Sequence, residues 1–194
     1  MHFDGLVTRL DTLPLNHVSH VVAVANEFGY DLTQVLSEVG IGDGLPFQDS
    51  TDLPTEVYYQ LLERILELID IPSFGVRVGQ KFSLSDYGVL GYACISSPNL
   101  RHLLQTFFRF QQIVGSDTTF REALRVEGDQ AMIEIHSSSA KEQIARFDVE
   151  EAVGQWSVAA EAFFHGKDAM YTRVNLMVRA NWLYCYGYTI PSSR

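Results

Sequence analysis

Basic residues are scarce in this chain, and their scarcity excludes more than any motif present suggests. Fourteen Lys and Arg stand against 24 Asp and Glu, a formal net charge of −10. No Lys or Arg occurs between Arg9 and Arg64. DNA binding draws on basic side chains that displace counterions from phosphates, so a compact domain of this charge has the wrong sign for a polyanion partner. Cysteine is nearly absent too. Cys94 and Cys185 form neither a metal-site spacing nor a disulfide framework, as expected in a reducing cytoplasm. No window approaches about 18 uninterrupted apolar residues, the length read as a membrane span. Residues 1–14 carry Asp4 and Asp11 and lack the apolar run of a signal peptide, so a cytoplasmic protein is expected.

Motifs of chemistry are missing as well. The chain has no GxSxG elbow, and no Lys-Ser/Thr pair follows Gly75, Gly79, Gly88 and Gly91. Those glycines read as packing positions, where the lack of a Cβ lets another backbone or a ligand come close. The histidines His2, His17, His20, His102, His136 and His165 make no metal set. His17 and His20 share a helix face, but no carboxylate lies beside them at ligand spacing, so they read as a surface pair. Neither catalysis, metal nor cofactor is expected.

What is present is an ordinary globular composition over 194 residues, 46% hydrophobic and 20% charged, enough for a substantial core. Val18, Val21, Val22, Ala25 and Phe28 line one face of a first helix, which Gly29 ends. Asp31 or Thr33 caps a short second helix to about Val39, and residues 41–50 form a loop. A third helix runs from about Pro54 to Ile69, with Asp52 as a candidate cap. Short elements follow around Gly75, a helix through Tyr92 and Ile95, and an amphipathic helix over about 100–114. Thr118–Val126 and Ala131–Ser137 are strand-like and joined by Gly128-Asp129, a hairpin signal. A long helix from about Lys141 to His165 and a final strand at about Tyr171–Val178 complete the pattern. Helices followed by strand-strand-helix-strand predict an α+β fold, a small antiparallel sheet packed on helices. A cupin jelly roll is excluded, since it needs about eight strands.

Residues Val22–Ile41 mimic a helix-turn-helix, with Ala25, Gly29 and Val35 near its small, glycine and aliphatic positions. Its second helix offers only Gln34 toward base edges and carries Glu38, so DNA reading is rejected for this segment. Arg77, Tyr87, Tyr92, Arg109, His136 and Trp156 are the polar or amphipathic residues best suited to line a small-molecule pocket. An arginine clamps a carboxylate, and phenols or an indole donate hydrogen bonds. The competing reading makes Arg77 and Arg109 structural. Val149, Val153, Trp156, Ala160 and Phe163 form a stripe at 4-3-4-3 spacing, which suits either a dimer seam or packing on the sheet.

One stretch, Phe74–Gly115, has the look of a family signature. Its residues are Phe74-Gly75, Arg77, Gly79, Gly88, the run Gly91-Tyr92-Ala93, Ser97 and Leu100, then Arg109 and Gln111. With them the chain resembles the N-terminal effector-binding and dimerisation domain, of the "arabinose-binding domain" type, of AraC/XylS-family bacterial transcription regulators. The resemblance extends more weakly from about Val18 to about Met177. It implies a ligand-sensing, dimerising domain over 1–178 that controls transcription through a helix-turn-helix DNA-binding domain. Nothing in this chain looks like such a domain, and residues 179–194, rich in Trp and Tyr, depart from the family. A small-molecule effector and a homodimer partner are implied, with no membrane. The alternative is a non-sensing interaction domain, or a truncated regulator acting by heterodimerisation. A third reading, a sensor holding a tetrapyrrole, is open to an absorbance spectrum.

Overall fold

The computed structural model describes residues 12–14, 16–41, 52–111, 120–127, 130–137, 139–164, 174–179 and 183–189. Two short strands, β1 (Thr12–Pro14) and β2 (Asp52–Pro54), pair antiparallel and bracket α1 (Asn16–Glu27) and α2 (Thr33–Glu38). Asp52, a candidate cap from sequence, therefore belongs to β2, and Pro54 occupies the position before α3 (Thr55–Leu68). Gly29 follows α1 at φ +82, a conformation that glycine adopts without strain. Asp31 Oδ1 accepts from the Thr33 N–H at 2.9 Å, but Leu32 holds the N-cap position of α2 without a side-chain cap bond, so neither Asp31 nor Thr33 is the cap expected from sequence.

The short α4 (Phe74–Gly79) leads through a 3-10 turn (Leu84–Tyr87) into α5 (Gly88–Ile95) and α6 (Leu100–Phe110). A reciprocal Ser83/Asp86 capping box fixes the turn, and the Asn99 side chain accepts from the His102 N–H at the start of α6. Strands β3 (Phe120–Glu127) and β4 (Gln130–Ser137) form the expected hairpin, with Leu124 opposite Ile133. The long α7 (Glu142–Phe164) then precedes β5 (Val174–Arg179) and β6 (Leu183–Thr189). The sheet order is β3-β4-β6-β5, antiparallel throughout. The fold is α+β as expected, with β1, β2 and β6 beyond the three strands that the sequence pattern indicated. β6 inserts between β4 and β5.

Two hydrophobic cores share α7. The first gathers α1–α4 with Ile71, Phe82, and Ile144 and Phe147 of α7. The second gathers Leu90 and Cys94 of α5, Leu103, Leu104 and Phe107 of α6, Ile133 and Ile135 of β4, and Val149, Ala152, Trp156 and Ala159 of α7. Glycine lets α4 and α7 approach at backbone distance. A Cβ on Gly79 would stand 2.0 Å from the Glu151 carbonyl oxygen, and one on Gly154 2.2 Å from that of Val76. No side chain fits at either place. Gly91 has the same role between α5 and the 3-10 turn, 1.6 Å from the Leu84 carbonyl oxygen on the same measure. Gly88 differs, since it has open space around it and a φ of +54.

Candidate functional site

The polar groups of greatest interest lie where the two cores meet along α7. His17 and His20 lie on one side of α1 and face Glu151 of α7 and Asp86 of the 3-10 turn. His17 Nδ1 lies 3.4 Å from Glu151 Oε1, and His20 Nε2 lies 3.5 Å from Asp86 Oδ2. Both contacts are near enough for charge attraction but misaligned for hydrogen bonding. Asn16 Oδ1, His20 Nε2 and Glu151 Oε1 are all buried without a hydrogen-bond partner. Folded proteins pair almost all such groups, so His20 Nε2 and Glu151 Oε1, two at one junction, are unusual. Glu151 is only 8% exposed. Burial lowers the His20 pKa, with the neighbouring His17 adding to the effect and Asp86 and Glu151 opposing it. The sequence reading of His17 and His20 as a surface pair is thereby corrected. Their carboxylates exist, but folding supplies them from distant parts of the chain.

An aromatic series leads from this seam into the second core. The Phe82 ring lies 4.7 Å from His17 and 4.4 Å from His20, and 6.4 Å from Tyr87. Tyr87 meets Phe107 edge-on at 5.2 Å, and Phe107 meets Trp156 at 4.9 Å. Trp156 also stacks on Phe108 at 5.3 Å. The Tyr87 hydroxyl donates to Gln155 Oε1 at 2.7 Å, one helical turn from Glu151.

Of the six residues picked from sequence as pocket-lining, the structure brings Tyr87 and Trp156 together through Phe107. The other four are exposed and scattered. Arg77 donates from Nε to the Pro72 carbonyl at 3.3 Å and lies over the Phe28 ring at 5.0 Å. Phe28, placed in the α1 stripe by periodicity, is thus 46% exposed beyond the helix end. Arg109 covers the Phe110 ring at 5.4 Å, and Tyr92 and His136 point outward from α5 and β4. In the α7 stripe, Val149 and Trp156 are buried in the chain's own second core, with Val153 packed against it. Ala160 and Phe163 lie in α7, but their side chains fall outside the described residues.

Other polar features are accounted for locally. An open depression of about 500 Å³ is lined by Glu63, Lys141, Glu142, Gln143, Ile144 and Arg146, and Lys141 pairs with Glu63 across it. Buried Asp148 accepts from the Ser137 hydroxyl at 2.9 Å and ties α7 to β4. Burial raises the Cys94 pKa and keeps its thiol protonated. Among the described residues no His, Cys, Asp and Glu group could hold a metal ion. No described helix is long and apolar enough to cross a membrane.

Comparison with solved structures places the fold among small α+β domains. Cs H-NOX, in a form carrying 4-cyano-L-phenylalanine, superposes with a TM-score of 0.57 at 13% identity, covering 90% of this chain and 94% of that one. A variant of T. tengcongensis H-NOX gives 0.55 at 11%, covering 89% and 92%. At these identities the likeness is one of fold. The sequence defines the family. Residues 29–181 match the arabinose-binding domain of AraC transcription regulators, N-terminal, and the chain belongs to that family. It is also 28% identical over 114 residues to an ornithine utilization regulator of Pseudomonas aeruginosa. That match spans 53% of this chain and 33% of the relative's length.

Proposed function

We propose that this regulatory domain senses a small-molecule effector and dimerises, carrying out no chemistry of its own. The observation behind the sensing reading is the seam of unpaired groups at His20 and Glu151. An unpaired buried polar atom costs about 1–3 kcal/mol. A ligand, or a shift of α1 against α7, that satisfied these atoms would recover that cost. An effector acts by favouring one arrangement over another, and the uncompensated seam is where a ligand would gain most by doing so. Tyr87 and Trp156 extend the reading along the aromatic series into the second core. In the whole regulator a helix-turn-helix domain would read out the change on DNA.

The relative's name makes a cationic amino acid the first effector to try, and Glu151 and Asp86 are the groups suited to an ammonium ion. The test is thermal shift against ornithine and other amino acids, sugars, fatty acids and aromatic acids. A ligand that binds only the native state raises Tm with concentration. If no member of the panel does so, the sensing reading fails. A second reading, an interaction domain without an effector, draws on the exposed apolar side chains Val89, Tyr92 and Ile95 of α5.

A further inference from the structure

We propose that Asp86 is a proton-driven switch, passing from the cap of the 3-10 turn to an ion pair with His20 when that histidine takes up a proton. One oxygen stands between two donors. Asp86 Oδ2 accepts from the Ser83 N–H at 2.7 Å and so closes the capping box of the turn. The same atom lies 3.5 Å from His20 Nε2, which is buried without a hydrogen-bond partner.

The proton decides which donor prevails. While His20 is neutral, the Ser83 amide is the donor at bonding distance and holds the carboxylate. An imidazolium makes a charge-assisted bond, roughly twice as strong as a neutral one and about 2.7–2.9 Å long. Reaching that length from 3.5 Å shortens the contact by about 0.7 Å. Asp86 is the side that moves. Helix α1 is fixed by Val18, Val21, Val24 and Ala25 in the first core, and its Glu27 pairs with Lys81. The His20 ring itself packs 4.4 Å from Phe82. No residue of the Leu84–Tyr87 turn is fully buried, and Gly88 behind it has open space at φ +54.

The titratable groups facing His20 are His17 on its own helix, Asp86 on the turn and Glu151 on α7. Burial opposes the proton most, with His17 adding to it, while Asp86 and Glu151 favour it. The switch therefore turns below the ordinary histidine value of about 6.5. Its movement is passed on through the backbone. A Cβ on Gly91 of α5 would stand 1.6 Å from the Leu84 carbonyl oxygen, so the turn has no slack against α5. A proton at the seam thereby alters how α5 sits on the second core.

This inference rests on the reading of the seam as the responsive part of the domain, and it adds the proton to the ligands of that seam. Nuclear magnetic resonance of the nitrogen-15-labelled chain, titrated from about pH 8 to 5, follows both groups at once. The Ser83 amide proton is expected to move upfield with the midpoint of the His20 ring protons, apart from the roughly 3.9 of an ordinary aspartate. In His20→Gln that movement should vanish. Asp86→Asn keeps an acceptor for the Ser83 N–H and removes the charge. There His20 should titrate lower still and the Ser83 amide should stay in place. If His20→Gln fails to fold, Asp86→Asn carries the test alone. A wild-type Ser83 amide that stays in place while His20 titrates, or one that moves equally in either variant, overturns the switch. The sensing reading stands or falls separately, on the ligand panel at constant pH.

Discussion

The two sides of α7 where it meets the first core are joined in opposite ways. Against α4 the contact is at backbone distance, with Gly75, Gly79 and Gly154 leaving no room for side chains and the Gly75 N–H donating to Glu150 Oε2 at 3.2 Å. Against α1 it is polar and poorly matched, with His20 Nε2 and Glu151 Oε1 buried without a hydrogen-bond partner beside the opposite charges. Glu151 takes part in both, its carbonyl beneath Gly79 and its carboxylate beside His17. A helix held rigidly on one side and loosely on the other has a defined direction in which it can yield. The family residues Phe74-Gly75 and Gly79 belong to the rigid side, which is why they identify the fold and not its signal.

The sharpest way to break this contrast is at the tight contact. Gly79→Val pushes side-chain atoms into the α7 backbone, and overpacking of this kind costs about 1–3 kcal/mol, occasionally more. Chemical denaturation should show a loss at or above the top of that range. A loss below about 1 kcal/mol would mean that α4 and α7 yield as readily as the seam. Glu151→Met tests the loose side with the opposite sign. It removes a buried oxygen that lacks a hydrogen-bond partner while keeping the side chain's length, so unfolding free energy should rise by about 1 kcal/mol. For a chain of this size that is a Tm gain of about 2–4 °C in calorimetry. A clear loss would show that the carboxylate is paired in solution.

The smallest effect concerns pH. His20 titrates lower in the folded protein than the roughly 6.5 of an unfolded chain. Between those two values the unfolded state binds more protons, so stability falls with falling pH. His20's contribution is complete above about 6.5 and is lost as pH drops through the folded value. His17, Asp86 and Glu151 face it and set how far the effect extends. In His20→Gln the slope of Tm between about pH 7 and 5 should flatten. An unchanged slope would place the titration elsewhere.

Local pattern was enough for elements whose own residues carry the signal. The apolar spacing in α3 and α7, the Gly29 stop and the Gly128-Asp129 turn each placed an element within a few residues of its observed position. What depended on distant partners was hidden. Tyr184, Tyr186 and Tyr188 alternate as strand residues do, but the neighbours that make β6 a strand are Ile135, Ile133 and Ala131 on one side and Val178, Leu176 and Val174 on the other. The seam was hidden for the same reason. His17 and His20 were visible as polar residues on an apolar helix, while Asp86 and Glu151 reach them only after folding. The six pocket candidates were chosen by residue type, and type does not say which way a side chain points.

The position of β6 bears on where this domain can be cut. The family match stops at residue 181, just ahead of the strand that joins β4 to β5. A fragment trimmed to that match would hold β5 with no neighbour and would leave β4 with one side open. Unpaired strand edges recruit other chains. Such a fragment would precipitate by edge-to-edge pairing.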